Sequence, residues 1–150
     1  MSKSRLLLLT VFFGCLGHAF QLTPLLAQSV TLAWDAVLAG GRGEAHGNVV
    51  LHELAHKLDM ANGVVDGTPP LPSQAARDRW NRVFTRAYDE HRARVAAGWP
   101  TLLDPYAATD EAEMFAVTTE AYFTRPAELA LEHPEVLALL ADFYRGRTLA

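Results

Sequence analysis

Cysteine is almost missing from this chain. Its 150 residues contain one, Cys15, which excludes an intramolecular disulfide and any zinc site built from cysteines. Basic clusters are missing too. The net charge is −4 with no run of Lys or Arg, which argues against nucleic acid as a partner. Neither an internal repeat nor a low-complexity linker divides the chain, and its length suits one domain. Half of the residues are hydrophobic, enough to bury a core. The apolar run at the start, Leu6 to Leu16, is too short to read as a membrane span.

That run follows Lys3 and Arg5, and a basic start before about eleven apolar residues has the form of a signal peptide. Gly17-His18-Ala19 offers a cleavage site and Leu25-Leu26-Ala27 a weaker one. Residues 1–27 therefore read as a signal-like leader or as a start foreign to the rest, and residues 28–150 as the working domain.

What the chain does contain is His52-Glu53-Leu54-Ala55-His56. On a helix, positions four apart lie roughly 40° apart around the axis with Cβ atoms about 5–6 Å from each other, so both imidazoles can reach one metal ion. Glu53 is offset by roughly 100°, poorly placed as a ligand but able to reach a water on the metal. This is the arrangement of a zinc peptidase, with two His on the metal and Glu as general base. The bland alternative is an exposed polar helix face. Val50, Leu51, Leu54, Ala55 and Leu58 recur at helical spacing, with Asn48 as N-cap and Asn62-Gly63 as a stop. The box is thus expected on a helix.

A catalytic zinc takes three protein ligands. Asp59 is too far along the axis from His52 and is expected to support the site or close the helix end. His46, His91 and His133 are isolated, and His18 lies in the leader. Glu113 and Glu120 stand seven residues apart on one face of a helix expected to start at Thr109 or Asp110 and run to about Thr124. Glu113 also fits a capping box with Asp110, and Glu120 also fits a solvated face. Spacing leaves both open.

Several motifs in order resemble the Mlc titration factor A family of zinc peptidases. They are Trp34-Asp35-Ala36-Val37-Leu38, the box extended through Lys57-Leu58-Asp59-Met60, and Asp66-Gly67-Thr68-Pro69-Pro70-Leu71-Pro72. Asp104-Pro105-Tyr106-Ala107-Ala108-Thr109 and Ala112-Glu113-Met114-Phe115-Ala116-Val117 complete the set. The resemblance spans roughly Val30 to Tyr144. The last motif is also similar to the anthrax lethal factor catalytic domain, with Met114 where the relatives have Phe. The resemblance implies one zinc ion held by His52, His56 and Glu113, with Glu53 as general base and Tyr106 beside the metal as an oxyanion donor. It implies a zincin-like, gluzincin-type metallopeptidase domain over residues 28–150 that hydrolyses peptide bonds through water activated by zinc, with aminopeptidase-like action. It also implies a peptide or protein substrate. The rival implication is a zinc-stabilised interaction module that binds a transcriptional repressor with little or no turnover. Family members carry a largely helical segment before the position of Val30, so the chain is expected to be shortened. The cytoplasm is the expected location, or export if residues 1–19 or 1–27 are a genuine signal peptide.

The remaining pattern predicts a mainly α fold (α+β) with a small sheet, complete or incomplete. Val30 to Trp34 is its candidate edge strand. Ser73 caps a long helix to about Ala97 with Trp80, Phe84, Tyr88, His91 and Val95 as its core stripe, and Arg77, Arg79, Arg82 and Arg86 on its solvated face. Two short helices open at Pro126 and Pro134.

Overall fold

The computed structural model describes residues 47–148. The leader, the Trp34 motif, the Val30–Trp34 strand, His18, His46 and most of the Gly40–Gly47 loop lie outside them. Among the described residues there is no strand. The order is α1 (Val49–Asp59), a 3-10 turn (Met60–Asn62), α2 (Gln74–Ala96), a 3-10 turn (Pro105–Ala108), α3 (Glu111–Thr124), α4 (Pro126–Glu132) and α5 (Pro134–Thr148). No helix among them is long and apolar enough to cross a membrane.

α3 is the central element. Every residue from Met114 to Ala121 is buried, including Thr118, Thr119 and Glu120. A helix buried on all sides must satisfy its polar side chains internally. Thr118 Oγ1 does so by donating to the Met114 carbonyl at 2.7 Å, and Thr119 meets the Tyr144 hydroxyl of α5 at 3.0 Å. Asp110 caps the helix with its carboxylate on the Glu113 N–H at 2.9 Å, so of the two expected caps Asp110 is the one used.

The aromatic core joins α2, α3 and α5. Trp80 stacks on Phe84 at 4.4 Å between ring centroids and meets Phe115 and Phe143 edge-on at 5.6 and 5.8 Å. Of the stripe expected on α2, Trp80, Phe84, Tyr88 and His91 are buried, with Ala87 added, while Val95 near the helix end is only half-buried. Of its arginines, Arg79, Arg82 and Arg86 stay outside and Arg77 is half-buried; Arg79 reaches Asp142 at 3.6 Å and Arg86 pairs with Glu135, both on α5. Pro126 and Pro134 do open helices, where the missing N–H costs nothing. The second is not short, for it continues through Val136, Leu139, Leu140 and Phe143 to pack on the core.

α1 packs along α3. Its expected apolar stripe is only partly covered: Ala55 is fully buried, Val50, Leu51 and Leu58 are half-buried, and Leu54 is 45% exposed. The loop from 63 to 73 returns beneath the end of α1. Gly67 there has φ of +74°, and a Cβ on it would lie 2.3 Å from the Glu111 carbonyl oxygen, so backbone meets backbone at a place only glycine fits. The Gly67 peptide is fastened on both sides. Its N–H donates to Asp59 at 2.9 Å and its carbonyl accepts from Trp80 Nε1 at 2.9 Å.

Candidate metal centre

The two histidines of α1 face the first turn of α3. Asn48 caps α1 through its side-chain oxygen on the Val50 and Leu51 N–H groups at 3.2 Å, and the helix carries His52 and His56 one turn apart. Asp110 fixes the start of α3 and so the height of Glu113. Glu113 Oε2 lies 3.0 Å from His52 Nε2 and 3.5 Å from His56 Nε2, and the two Nε2 atoms are 3.1 Å apart. Donors about 2.0–2.1 Å from a tetrahedral zinc must lie about 3.3 Å from one another. The observed triangle has that size, and these three residues can hold a metal ion.

The chemistry of the donors agrees with their spacing. Glu113 Oε2 is buried and accepts no hydrogen bond, an arrangement that costs free energy unless a cation completes it. Capping explains the Glu113 backbone but not its carboxylate, whose Oε1 takes the Tyr106 hydroxyl at 3.3 Å while Oε2 faces the imidazoles. The residues present therefore fit a zinc ion.

His52 has a partner on its other nitrogen. Nδ1 lies 2.8 Å from Glu120 Oε1. The hydrogen bond to Glu120 raises the His52 pKa above its ordinary value, against burial, and the charges of Glu120, Glu113 and Glu53 add to the rise. Glu120 is buried rather than solvated, and its second oxygen accepts the Asn48 N–H. The two carboxylates left open by spacing are thus separated by the structure: Glu113 faces the imidazole pair and Glu120 lies behind it.

Tyr106 sits on the 3-10 turn between α2 and α3, 54% exposed, its ring centroid 6.2 Å from that of His52. The turn is held at both ends by α2, through His91 on the Asp104 carbonyl at 3.2 Å and Tyr88 on the Ala108 carbonyl at 3.3 Å. The Glu113 charge and hydrogen bond raise the Tyr106 pKa, which keeps its hydroxyl a donor. Glu53 is half-buried, and its charge acts on both His52 and Tyr106. Asp59, expected to support the site or close the helix end, is fully buried and holds the Gly67 N–H. His91 belongs to the Tyr106 support, and His133 is half-buried beside α4.

The family model for the glucose-regulated metallo-peptidase M90 matches residues 14–145. The chain belongs to that family. The match begins upstream of Val30, inside the segment that reads as a leader. Among curated relatives, Mlc titration factor A of Escherichia fergusonii is 35% identical over 131 residues, covering 85% of this chain and 47% of that protein. Mlc titration factor A of Edwardsiella ictaluri is 38% identical over 101 residues, covering 65% of this chain and 38% of that protein. The Synechocystis protein slr2042, whose name records no function, is 36% identical over 114 residues, covering 76% of this chain and 40% of that protein. The chain spans less than half the length of these relatives.

Within this metallo-peptidase family member, sequence reasoning missed one site residue role. Glu120 was visible as a carboxylate two turns from Glu113. The signal that it faces inward is its company: Val117, Thr118 and Thr119 before it and Ala121 after it make a poor solvated face.

Proposed function

We propose that the chain is a zinc-dependent peptidase with a zincin-like plan, in which one helix supplies two histidines and a second supplies a carboxylate. The observation that carries the reading is the triangle of His52 Nε2, His56 Nε2 and Glu113 Oε2, with edges of 3.0, 3.1 and 3.5 Å, one corner of which is a buried oxygen that accepts no hydrogen bond. Membership in a metallo-peptidase family supports it.

His52, His56 and Glu113 would hold the zinc. When bound, the zinc supplies a Lewis acid that polarises the scissile carbonyl and acidifies water. Glu53, next to His52 on α1 and close enough for its charge to act on both His52 and Tyr106, takes the proton from the attacking water and passes it to the leaving amine. Tyr106, with a hydroxyl kept protonated at the Glu113 end of the site, donates to the oxyanion as it forms. A peptide or protein is the substrate class, and aminopeptidase-like action is the form the resemblance favours.

Glu53→Gln tests the reading. Zinc content should be unchanged, and peptide hydrolysis should fall by about 10²- to 10⁴-fold. Retained turnover would sink the general-base role. The name of the Mlc titration factors favours a second reading, a zinc-stabilised module that captures a repressor protein. Hydrolysis that disappears on chelation and returns with zinc supports the peptidase; repressor binding without any hydrolysis in the wild type supports the module.

A further inference from the structure

We infer that Glu120 is a positioning residue that fixes the tautomer and orientation of His52 for the metal; the inference rests on the zinc reading above. Three observations converge on this carboxylate. Glu120 Oε1 lies 2.8 Å from His52 Nδ1, on the opposite side of the ring from Glu113. Glu120 Oε2 accepts the Asn48 N–H, one of the four donors that the start of α1 leaves without a helical partner. The side chain is only 12% exposed, on a helix whose surrounding residues are buried, so its charge is compensated by these two partners.

The consequence follows from the chemistry of imidazole. A neutral ring carries one proton, and an ionised carboxylate offers only acceptors. Glu120 holds that proton on Nδ1, which leaves the Nε2 lone pair for a metal bordered by Glu113 Oε2 and His56 Nε2. Without Glu120 the ring is free to carry its proton on Nε2, where it blocks a metal. The same carboxylate ties the entry of α1 to α3, so ring orientation and helix position are set together. Gly47 leaves room for this: a Cβ there would lie 2.6 Å from Glu120 Oε2. The seven-residue spacing of Glu113 and Glu120 thus places one helix on both nitrogens of one imidazole.

The test uses the full chain and zinc alone. In metal-free wild type in alkaline buffer, nitrogen NMR should show His52 as the Nδ1–H tautomer. Glu120→Ala should shift it toward Nε2–H and weaken zinc by about 10- to 100-fold in a competition titration with a chelating dye. Glu120→Gln keeps an acceptor for Nδ1–H and should retain the tautomer with a smaller loss of affinity. Circular dichroism establishes that each variant is folded. A merely structural Glu120 would lower the unfolding midpoint and leave the tautomer and the zinc affinity alone, which would overturn the inference. So would an Nε2–H ring in the wild type, a measurement that stands even if Glu120→Ala does not fold. If the wild type binds no zinc, the peptidase reading fails, while the tautomer in the metal-free protein still decides the role of Glu120.

Discussion

The buried carboxylate of Asp59 accepts the Gly67 N–H at 2.9 Å and so locks the end of the histidine-bearing helix to the loop that passes under it. Because Trp80 holds the carbonyl of the same glycine, the loop transmits the position of the aromatic core to α1. Burial raises the Asp59 pKa, and the Gly67 N–H opposes the rise, so this bond matters to the carboxylate as well as to the loop.

Gly67→Ala should therefore be severely destabilising. The substitution places an alanine at φ of +74° and drives its Cβ to 2.3 Å from a carbonyl oxygen that belongs to the start of α3. The φ alone costs about 1–2 kcal/mol, and the clash adds to it because neither backbone can step aside. Gly63→Ala is the control, with φ of +90° and nothing within 4 Å of the new Cβ. Urea unfolding should show a loss of about 1–2 kcal/mol for Gly63→Ala and a clearly larger loss, or no folded protein, for Gly67→Ala. Equal losses would mean that the loop does not rest on Glu111.

Glu113→Ala should abolish stoichiometric zinc while leaving the helices intact. The carboxylate is partly exposed at the first turn of α3, and the cap that starts the helix is Asp110 acting on the backbone N–H of residue 113. That cap does not need the Glu113 side chain. Zinc per chain after dialysis should drop from about one to near zero, in keeping with three-ligand sites, with little change in far-ultraviolet circular dichroism. Full zinc occupancy in this variant would move the third ligand elsewhere.

Much of this arrangement was legible in the sequence, for identifiable reasons. The His52–His56 spacing works because α1 is a regular helix with a side-chain cap; the expected Asn62-Gly63 stop closes not α1 itself, which ends at Asp59, but the 3-10 turn that follows it. The core stripe of α2 follows from periodicity as far as His91, and fails at Val95, which is only half-buried near the helix end. The Glu113 and Glu120 assignments were not legible from spacing, since two residues on one helix face can point at the same ring from either side. Only the packing of α1 across α3 separates them. Leu54 shows the converse. Its place in an apolar stripe predicts burial, yet it is 45% exposed because α1 is covered by α3 along one side only among the described residues.

Tyr106→Phe should separate binding from chemistry. The phenol touches Glu113 Oε1 rather than the donor triangle, and the ring lies beside His52 without supplying a ligand. Zinc affinity and KM should change little, while kcat should fall by about 10²- to 10³-fold, the range for loss of one oxyanion donor. A change confined to KM would assign Tyr106 to substrate binding instead.

His91 makes the support of Tyr106 sensitive to acid. The residue is 2% exposed, and Nε2 donates to the Asp104 carbonyl at 3.2 Å, at the start of the turn that carries Tyr106. Burial lowers the His91 pKa, against the backbone hydrogen bond and the Asp104 charge, which raise it. The unfolded chain therefore binds this proton at a higher pH than the folded one. Folded stability should fall as pH drops below about 6.5, by at most about 1.4 kcal/mol per pH unit for the one group, until the folded ring also protonates. His133 is lowered as well and contributes in the same sense, whereas the raised His52 of the metal-free protein contributes in the opposite one. Comparing the wild type with His91→Gln in chelator cancels both. The difference between their urea-derived stabilities should narrow as pH falls from 7.5 to 5, because only the wild type has a neutral His91 to protonate. A gap that stays constant across that interval would show that His91 does not titrate in folding, and the acid sensitivity would have to come from His133 or from the carboxylates.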